Sequence, residues 1–217
     1  MRPRPLTSAL LAPFLVRRLP PGCARSVLLT FDDGPVRGVT EGVLDRLQEH
    51  GARALFFVLG RRVEDVPDLA RRIAESGHAV GNHSYAHGMA RLPAPAGYLR
   101  DVRRCSAAVA GATGTAPRFF RAPGGRIHPG SLVVPVRLGL QHVLWSLDPL
   151  DWQTGDRGQA ADLGRRLAGE ARGRDIVLLH DDRDAIHALL DQLLPALADR
   201  GFDLAGGLPA LGDGACR

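Results

Sequence analysis

Short apolar runs alternate with stretches of helical periodicity along most of this 217-residue chain. The apolar runs have the length of buried strands and lie at 26–31, 54–59, 78–83, 117–121, 142–147 and 175–180. Stretches of helical periodicity lie between them, near 40–50, 67–76, 97–111, 130–138, 158–171 and 184–199. This alternation predicts an α/β fold in which helices cover a parallel sheet, either open or closed into a barrel.

The last helical stretch, 184–199, has the clearest pattern, because its large apolar residues all fall on one face. Pro195 lies inside it and has no backbone N–H to donate. We therefore expect a kink or a break in the helix at this point.

Polar side chains follow the predicted strands at their carboxyl ends. They are Asp32 and Asp33 after the first strand, His83 at the third, Arg121 at the fourth, Asp148 and Asp151 after the fifth, and His180 at the sixth. Parallel α/β folds place their chemistry at this end of the strands. The pattern predicts that these residues meet at one rim of the sheet.

Asp32 and Asp33 are adjacent like charges, and a cation between or beside them would relieve their repulsion. His83 and His87 are four residues apart in "HSYAH", so a helical turn would put both imidazoles on one face. An H-x-x-x-H pair is weak evidence alone, but with an aspartate it supplies the nitrogen and oxygen ligands of a catalytic zinc site. One aspartate would bind the cation and the other would take a proton from water. A solvated turn with an aspartate as N-cap explains only one of the two.

Five motifs then identify a family resemblance: "TFDDGP", "HSYAH", "RAPGG", "DPLDW" and "LLH", in this order. They resemble the motifs of the polysaccharide deacetylases, carbohydrate esterase family four, also called the NodB-homology domain. The resemblance covers residues 26 to about 205. It implies a distorted, incomplete (β/α) barrel and a metal-dependent hydrolase that removes acetyl groups from chitin oligomers, peptidoglycan or xylan.

The resemblance also implies roles for the residues at the rim. Asp33, His83 and His87 would be the metal ligands. Asp32 would be the general base and His180 the general acid, with Arg121 holding Asp32 and Asp151 tuning His180. A second titrating residue is required because an amine is a poor leaving group unless it is protonated.

The substrate pocket implied by the resemblance contains Pro123, Gly124, Trp152 and Leu178, of which Trp152 and Leu178 would wall the acetyl methyl group. Members of the family usually carry an aromatic residue where this chain has Gly124. Glycine still supplies a backbone N–H for the oxyanion, but an aromatic wall is lost. The length and identity of the acetylated substrate are left open.

The expected cofactor is one divalent ion, Zn²⁺ first, with Co²⁺, Mn²⁺ or Ni²⁺ as alternatives. The expected substrate is an N-acetylated sugar, such as a chitooligosaccharide, peptidoglycan or a lipid-linked sugar. One alternative is an amidohydrolase of the same fold that acts on a small non-sugar amide or imide. A second is an inactive carbohydrate-binding module, against which the intact set of site residues argues.

Other polar residues have ordinary explanations. His50, His78, His128, His142 and His187 match no motif and are expected on the surface or in ordinary packing. Asp148 is explained equally well by capping of the turn before Pro149 and by a role in the site. Asp181 and Asp182 are expected to bind the N-terminus of the helix that follows them.

Charge is concentrated at the start of the chain. Residues 1–25 contain five arginines and no acid, which accounts for the net charge of +5 and leaves the rest formally neutral. Nucleic acid is therefore excluded as an expected partner. The expected domains are a basic N-terminal segment, 1–25, and a catalytic domain, 26–217, acting as a monomer.

The apolar part of the N-terminal segment, "LTSALLAPFLV", resembles the core of a signal peptide but lacks a small-residue cleavage site. Helical spacing of its apolar residues fits a surface helix better, packed on the domain or resting on a membrane interface; these residues are Leu6, Leu10, Leu11, Phe14 and Leu15.

The chain has three cysteines, Cys23, Cys105 and Cys216, which are widely separated and form no CxxC pair. We expect neither a disulfide framework nor a thiolate zinc site. This favours a reducing compartment, so the expected location is cytoplasmic or membrane-associated, with secretion left open.

Overall fold

The computed structural model describes residues 15–88 and 95–213. In this part of the chain seven strands form one parallel sheet in the order β1-β6-β5-β4-β3-β2-β7. The strands are β1 (Leu15–Val16), β2 (Leu28–Asp32), β3 (Ala54–Val58), β4 (Ala79–Asn82), β5 (Phe119–Phe120), β6 (Gln141–Val143) and β7 (Ile176–His180).

Helices connect the strands. They are α1 (Thr40–Glu49), α2 (Gly60–Asp65), α3 (Pro67–Glu75), α4 (Pro95–Thr113), α5 (Pro129–Arg137), α6 (Arg157–Glu170), α7 (Ala185–Asp199) and α8 (Gly207–Asp213). Two 3-10 helices, Pro123–Gly125 and Asp151–Gln153, follow β5 and β6. None of the helices in the described ranges is long and apolar enough to cross a membrane.

The sheet curls until its two ends meet through isolated bridges. Leu147, beyond β6, pairs with Val177 of β7, and Arg18, beyond β1, pairs with Asp175 just before β7. No continuous ladder closes the ring among the described residues. The predicted distorted, incomplete (β/α) barrel is confirmed.

The central strands are buried on both faces, which explains why their sequences are continuous apolar runs without polar alternation. In β2, Leu29 and Phe31 pack under the covering helices, whereas Leu28 faces the barrel interior. Phe57 of β3 shares the interior cluster, and Phe56 shares the outer one. Truncating a side chain such as Phe56 to alanine would cost about 3–5 kcal/mol.

Pro195 does not break its helix, because α7 runs from Ala185 to Asp199 with the proline inside it. Leu193, Leu194 and Leu197 on either side of the proline are fully buried in the core. Their packing holds the last turn in place despite the missing N–H, and the expected split was wrong.

The described part of the N-terminal segment belongs to the domain. Leu15 and Val16 pair in parallel with His142 and Val143, and Leu19 is buried in the interior cluster. Leu15 therefore lies on a strand and not on the expected surface helix, because the edge of β6 offers unpaired backbone groups to an apolar chain. The other residues of that helix prediction, Leu6, Leu10, Leu11 and Phe14, lie outside the described residues.

One cysteine prediction needs correction. Cys23 is disulfide-bonded, although the spacing of the cysteines indicated no disulfide. Cys105 is free and buried on α4, as expected from its helical context. Sequence spacing missed the bond because cysteines far apart in a chain can meet only through the fold.

Candidate active site

Three ligand side chains converge above the carboxyl ends of β2 and β4. Asp33 follows β2, and its Oδ1 lies 3.4 Å from His87 Nε2 and 3.7 Å from His83 Nε2. One ligand atom from each of the three lies within 4.8 Å of the others. This grouping matches the predicted ligand set.

His83 presents a defined nitrogen to the group. Its Nδ1 lies 2.9 Å from the carbonyl oxygen of Arg121. Since a carbonyl only accepts, Nδ1 carries the proton and Nε2 keeps its lone pair toward Asp33. Complete burial lowers the pKa of His83, which keeps the ring neutral and available as a ligand despite the nearby Asp32 and Asp33.

The "HSYAH" segment is an irregular loop, so the expected helical turn was wrong. Ser84 and His87 have left-handed backbone with φ of 74° and 59°. Side chains hold the loop, because Asn82 Oδ1 accepts from the Ser84 N–H at 2.8 Å and Ser84 Oγ accepts from the His87 N–H at 3.0 Å. The two histidines do lie together, as predicted, but the left-handed backbone of the loop brings them together and not a helical turn.

The donor set fits a divalent metal ion. Asp33 Oδ1 is buried and has no hydrogen-bond partner among the described residues. A buried carboxylate oxygen without a donor is costly, and this one faces the Nε2 atoms of both imidazoles, of which that of His83 carries no proton. One carboxylate and two imidazoles are the protein ligands of many catalytic zinc sites.

Asp32 lies beside this group and is held by a buried arginine. Arg121 Nη1 donates to Asp32 Oδ1 at 2.7 Å and to Thr30 Oγ1 at 2.8 Å. Its Nε and Nη2 donate to the carbonyls of Val143 and Leu144. The other oxygen, Asp32 Oδ2, lies 3.6 Å from His83 Nε2 and faces the site. The geometry agrees with the positioning role expected for Arg121.

His180 lies at the end of β7, the strand next to β2, and is paired in register with Asp32. Asp151 accepts twice from it, from the backbone N–H to Oδ2 and from ring Nδ1 to Oδ1, both at 2.8 Å. Burial alone lowers the pKa of His180, but the Asp151 hydrogen bond and the charges of Asp151, Asp32 and Asp33 outweigh it and raise the pKa to about 9. His180 is therefore protonated near neutral pH.

A cleft of about 430 Å³ lies over these groups. Of the pocket residues predicted from the sequence, Gly124, Trp152 and Leu178 line it. Pro123 is buried in the turn beneath and is not among the lining residues. Sequence reasoning missed four lining residues, of which Leu150 lies inside the "DPLDW" motif: Trp145, Leu150, Asp182 and Arg183.

Gly124 and Gly125 shape one wall of the cleft. Both have left-handed φ, 61° and 63°. A Cβ on Gly125 would overlap the indole of Trp145, so this glycine lets Trp145 approach the turn closely. A Cβ on Gly124 would meet only the side chain of Arg126, at 3.9 Å. Trp145 thus contributes an aromatic surface near the position where the expected aromatic residue is absent.

The structure places Asp148, which the sequence left ambiguous, and corrects the expectation for Asp181. Asp148 does both things proposed for it, since its Oδ1 accepts from the Leu150 N–H at 3.0 Å while the residue lines the cleft. Asp181 does not cap the following helix; it is fully buried and accepts from Gly34 and Thr40. Burial raises the pKa of Asp181 to about 7.

The histidines outside the motifs do not line the cleft. His78 and His142 are buried and accept from the backbone N–H groups of Ala54 and Ala122. His187 contacts the carbonyl of Val39. Ordinary packing explains them, as expected.

Known proteins are similar to this chain in sequence and in fold. Chitooligosaccharide deacetylase of Bradyrhizobium sp. is 37% identical over 83% of this chain and 88% of its own length. Peptidoglycan-N-acetylglucosamine deacetylase PgdA of Listeria monocytogenes is 36% identical over 82% of this chain, which spans only 37% of that relative. The structure of a family 4 carbohydrate esterase from Streptomyces lividans in complex with acetate superposes with a TM-score of 0.74 at 32% identity, over 85% of this chain and 93% of that one.

The sequence model of the polysaccharide deacetylase family matches residues 20–143, more than half of the chain. It includes the Asp32–Asp33 pair and both histidines of the ligand group. The chain belongs to the polysaccharide deacetylase family.

Proposed function

We propose that this chain is a metal-dependent hydrolase that removes the acetyl group from an N-acetylated sugar, such as a chitooligosaccharide, peptidoglycan or a lipid-linked sugar. The observation that carries the proposal is the pairing of Asp32 with His180 across β2 and β7, in the cleft that the ligand group also lines. A carboxylate base and a protonated imidazole are thereby aimed into one cleft.

The metal would be held by Asp33, His83 and His87. When bound, a divalent ion supplies Lewis acidity, which polarises the acetyl carbonyl and makes a water easier to deprotonate. Two imidazoles and one carboxylate favour zinc over the harder magnesium or calcium ions, whereas cobalt, manganese and nickel also accept this set.

The chain's own residues move the protons. Asp32, held by Arg121, accepts the proton of the water that attacks the acetyl carbon. His180 donates the proton on its ring nitrogen away from Asp151 to the amide nitrogen, so that the C–N bond breaks to give acetic acid and a neutral amine. The acid product then returns its proton to His180 and leaves as acetate. Asp151 keeps His180 oriented and charged for this step.

The rim of the cleft favours a sugar over a small amide. Trp152 and Leu150 line the cleft and remain 47% and 44% exposed, so an apolar platform borders the site. Aromatic faces of this kind pack against the apolar face of a sugar ring. The names of the Bradyrhizobium and Listeria relatives support the same substrate class.

We also propose that the chain acts at a membrane surface as a monomer. The exposed Arg17 would bind anionic lipid and contribute about 1 kcal/mol, whereas Arg18 and Arg25 already bind Asp175 and Gly201 of the domain. The disulfide at Cys23 supports an oxidising location over the cytoplasm. Sedimentation with vesicles with and without phosphatidylserine, at two salt concentrations, tests the lipid contact, and equilibrium ultracentrifugation tests the monomer.

Acetate release tests the activity. Protein purified without added metal is assayed for metal content and then, with and without Zn²⁺, on N-acetylglucosamine oligomers, peptidoglycan and small acetamides. We expect zinc-dependent release from the sugars and little from the small amides. Release from the small amides alone would contradict the proposed substrate class.

A further inference from the structure

Asp181 is a buried carboxylate next to the site that the proposed chemistry does not use. Its side chain is fully buried, and it forms no ion pair among the described residues. Its Oδ1 accepts from the Gly34 N–H at 2.9 Å, and its Oδ2 accepts from the Thr40 hydroxyl at 2.7 Å. Burying a carboxylate without a cation is costly, so its hydrogen bonds must offset much of the cost.

The first of these bonds holds the backbone of Asp33. Asp33 has a left-handed φ of 77°, which costs a non-glycine residue about 1–2 kcal/mol. The peptide that links Asp33 to Gly34 is held from both sides, because Arg62 Nη1 donates to its carbonyl at 2.7 Å and Asp181 accepts from its N–H. These two contacts fix the orientation of the peptide that follows Asp33, and with it the direction of the Asp33 side chain.

The second bond extends the support along the turn. Thr40 Oγ1 donates to Asp181 and accepts from the Val36 N–H at 2.8 Å. A Cβ on Gly34 would overlap the Asp181 carboxylate, so the carboxylate fills the space that any other residue at position 34 would need. The Asp181 side chain thus supports the turn after β2 directly at Gly34 and, through Thr40, at Val36.

We propose that Asp181 is a positioning residue for the metal ligand Asp33. It also follows His180 directly in the chain, and its N–H donates to the Asp32 carbonyl at 3.3 Å. Asp181 therefore ties the ligand turn to the strand that carries the acid. The inference rests on the proposed metal site, since it concerns the affinity of that site for a metal ion.

The test compares the Zn²⁺ affinity of metal-free variants, measured by competition with a chromophoric chelator, together with their thermal unfolding. Asp181→Ala removes both acceptors. We expect at least a tenfold loss of affinity, the range seen when groups that orient metal ligands are removed. Asp181→Asn keeps one acceptor for Gly34 and can donate to Thr40, so its affinity should stay within about threefold of the original chain.

Asp175 provides a matched control at the opposite end of β7. It is also buried, and it accepts from the Arg172 N–H at 2.9 Å and the Ser146 hydroxyl at 2.8 Å. Unlike Asp181 it also forms an ion pair, with Arg18 at 3.0 Å, so its removal should destabilise the fold at least as much. Asp175→Ala should lower the unfolding temperature but leave Zn²⁺ affinity unchanged. An equal loss of affinity in both alanine variants would show general destabilisation and overturn the inference.

Further outcomes separate the two proposals. If the original chain bound no Zn²⁺, the proposed metal site would fail. If the original chain and Asp181→Ala bound Zn²⁺ equally well, only the positioning role would fail. Should Asp181→Ala not fold, Thr40→Val removes one donor to Asp181 at nearly constant shape; weaker Zn²⁺ binding supports the inference, and unchanged binding contradicts it.

Discussion

Replacing Asp151 by asparagine should shift the basic limb of the pH–rate profile downward. Asp151 raises the pKa of His180 to about 9 together with Asp32 and Asp33, against the lowering effect of burial. A divalent ion beside Asp32 and Asp33 offsets their charges, which leaves Asp151 as the main group that keeps His180 protonated. Without Asp151, burial acts alone and the pKa of His180 should fall to its ordinary 6.5 or below.

The size of the effect depends on pH. At pH 8 a histidine with a pKa of 9 is about nine-tenths protonated, and one with a pKa of 6.5 about 3% protonated, so the rate should fall by up to about 30-fold. Near pH 5.5 both forms are mostly protonated. Any loss of rate that Asp151→Asn still shows at pH 5.5 therefore measures how much Asp151 contributes by orienting the His180 ring.

The assay is kcat for acetate release from an N-acetylglucosamine oligomer between pH 5 and 10, with metal content measured for each variant. Asp148→Asn is the control, because it removes a carboxylate from the same cleft that is not hydrogen-bonded to His180, and its basic limb should stay in place. An unshifted limb in Asp151→Asn, or equal losses at pH 5.5 and pH 8, would refute the assigned role of the pair.

Three further predictions follow from other contacts. Arg121→Met leaves Asp32 buried without its cation and should destabilise the fold by about 3–5 kcal/mol in denaturant unfolding. Trp152→Ala removes the exposed platform and should raise KM for sugar oligomers about fivefold in the acetate-release assay. Burial lowers the pKa of His78 and His142 to about 4. Between pH 6.5 and 4 these two histidines are therefore protonated in the unfolded chain but neutral in the folded chain. Stability should fall as the pH drops through this window, by up to about 3 kcal/mol per histidine, and His142→Gln should reduce the slope.

The sheet could be predicted largely because its central strands are buried on both faces. Such strands appear as continuous apolar runs, and polar residues at their ends stand out. Asp32 and His180 can therefore be placed at the rim of the sheet from the sequence alone. Strand β1 was missed because two residues carry no periodic signal, and its place depends on the open edge of β6.

Other features depend on contacts that no local pattern contains. The left-handed backbone at Ser84 and His87 replaces the expected helical turn and is held by side chains within the loop. Asp181 was assigned to a helix N-terminus because it precedes one, yet its partner Gly34 is 147 residues away in sequence. The disulfide bond of Cys23 was likewise not indicated by the spacing of the cysteines.

The proposed function requires that Asp33 bind the metal and Asp32 accept the proton, although the two are adjacent in the chain. The most direct measurement is therefore the metal content and acetate release of Asp33→Ala and Asp32→Asn, purified and loaded with Zn²⁺ in parallel. Asp33→Ala should lose metal and activity together, as should His83→Ala and His87→Ala. Asp32→Asn should keep one metal per chain and lose most turnover, because an amide cannot accept the proton of water. Full metal affinity in Asp33→Ala, or normal turnover in Asp32→Asn, would contradict the account.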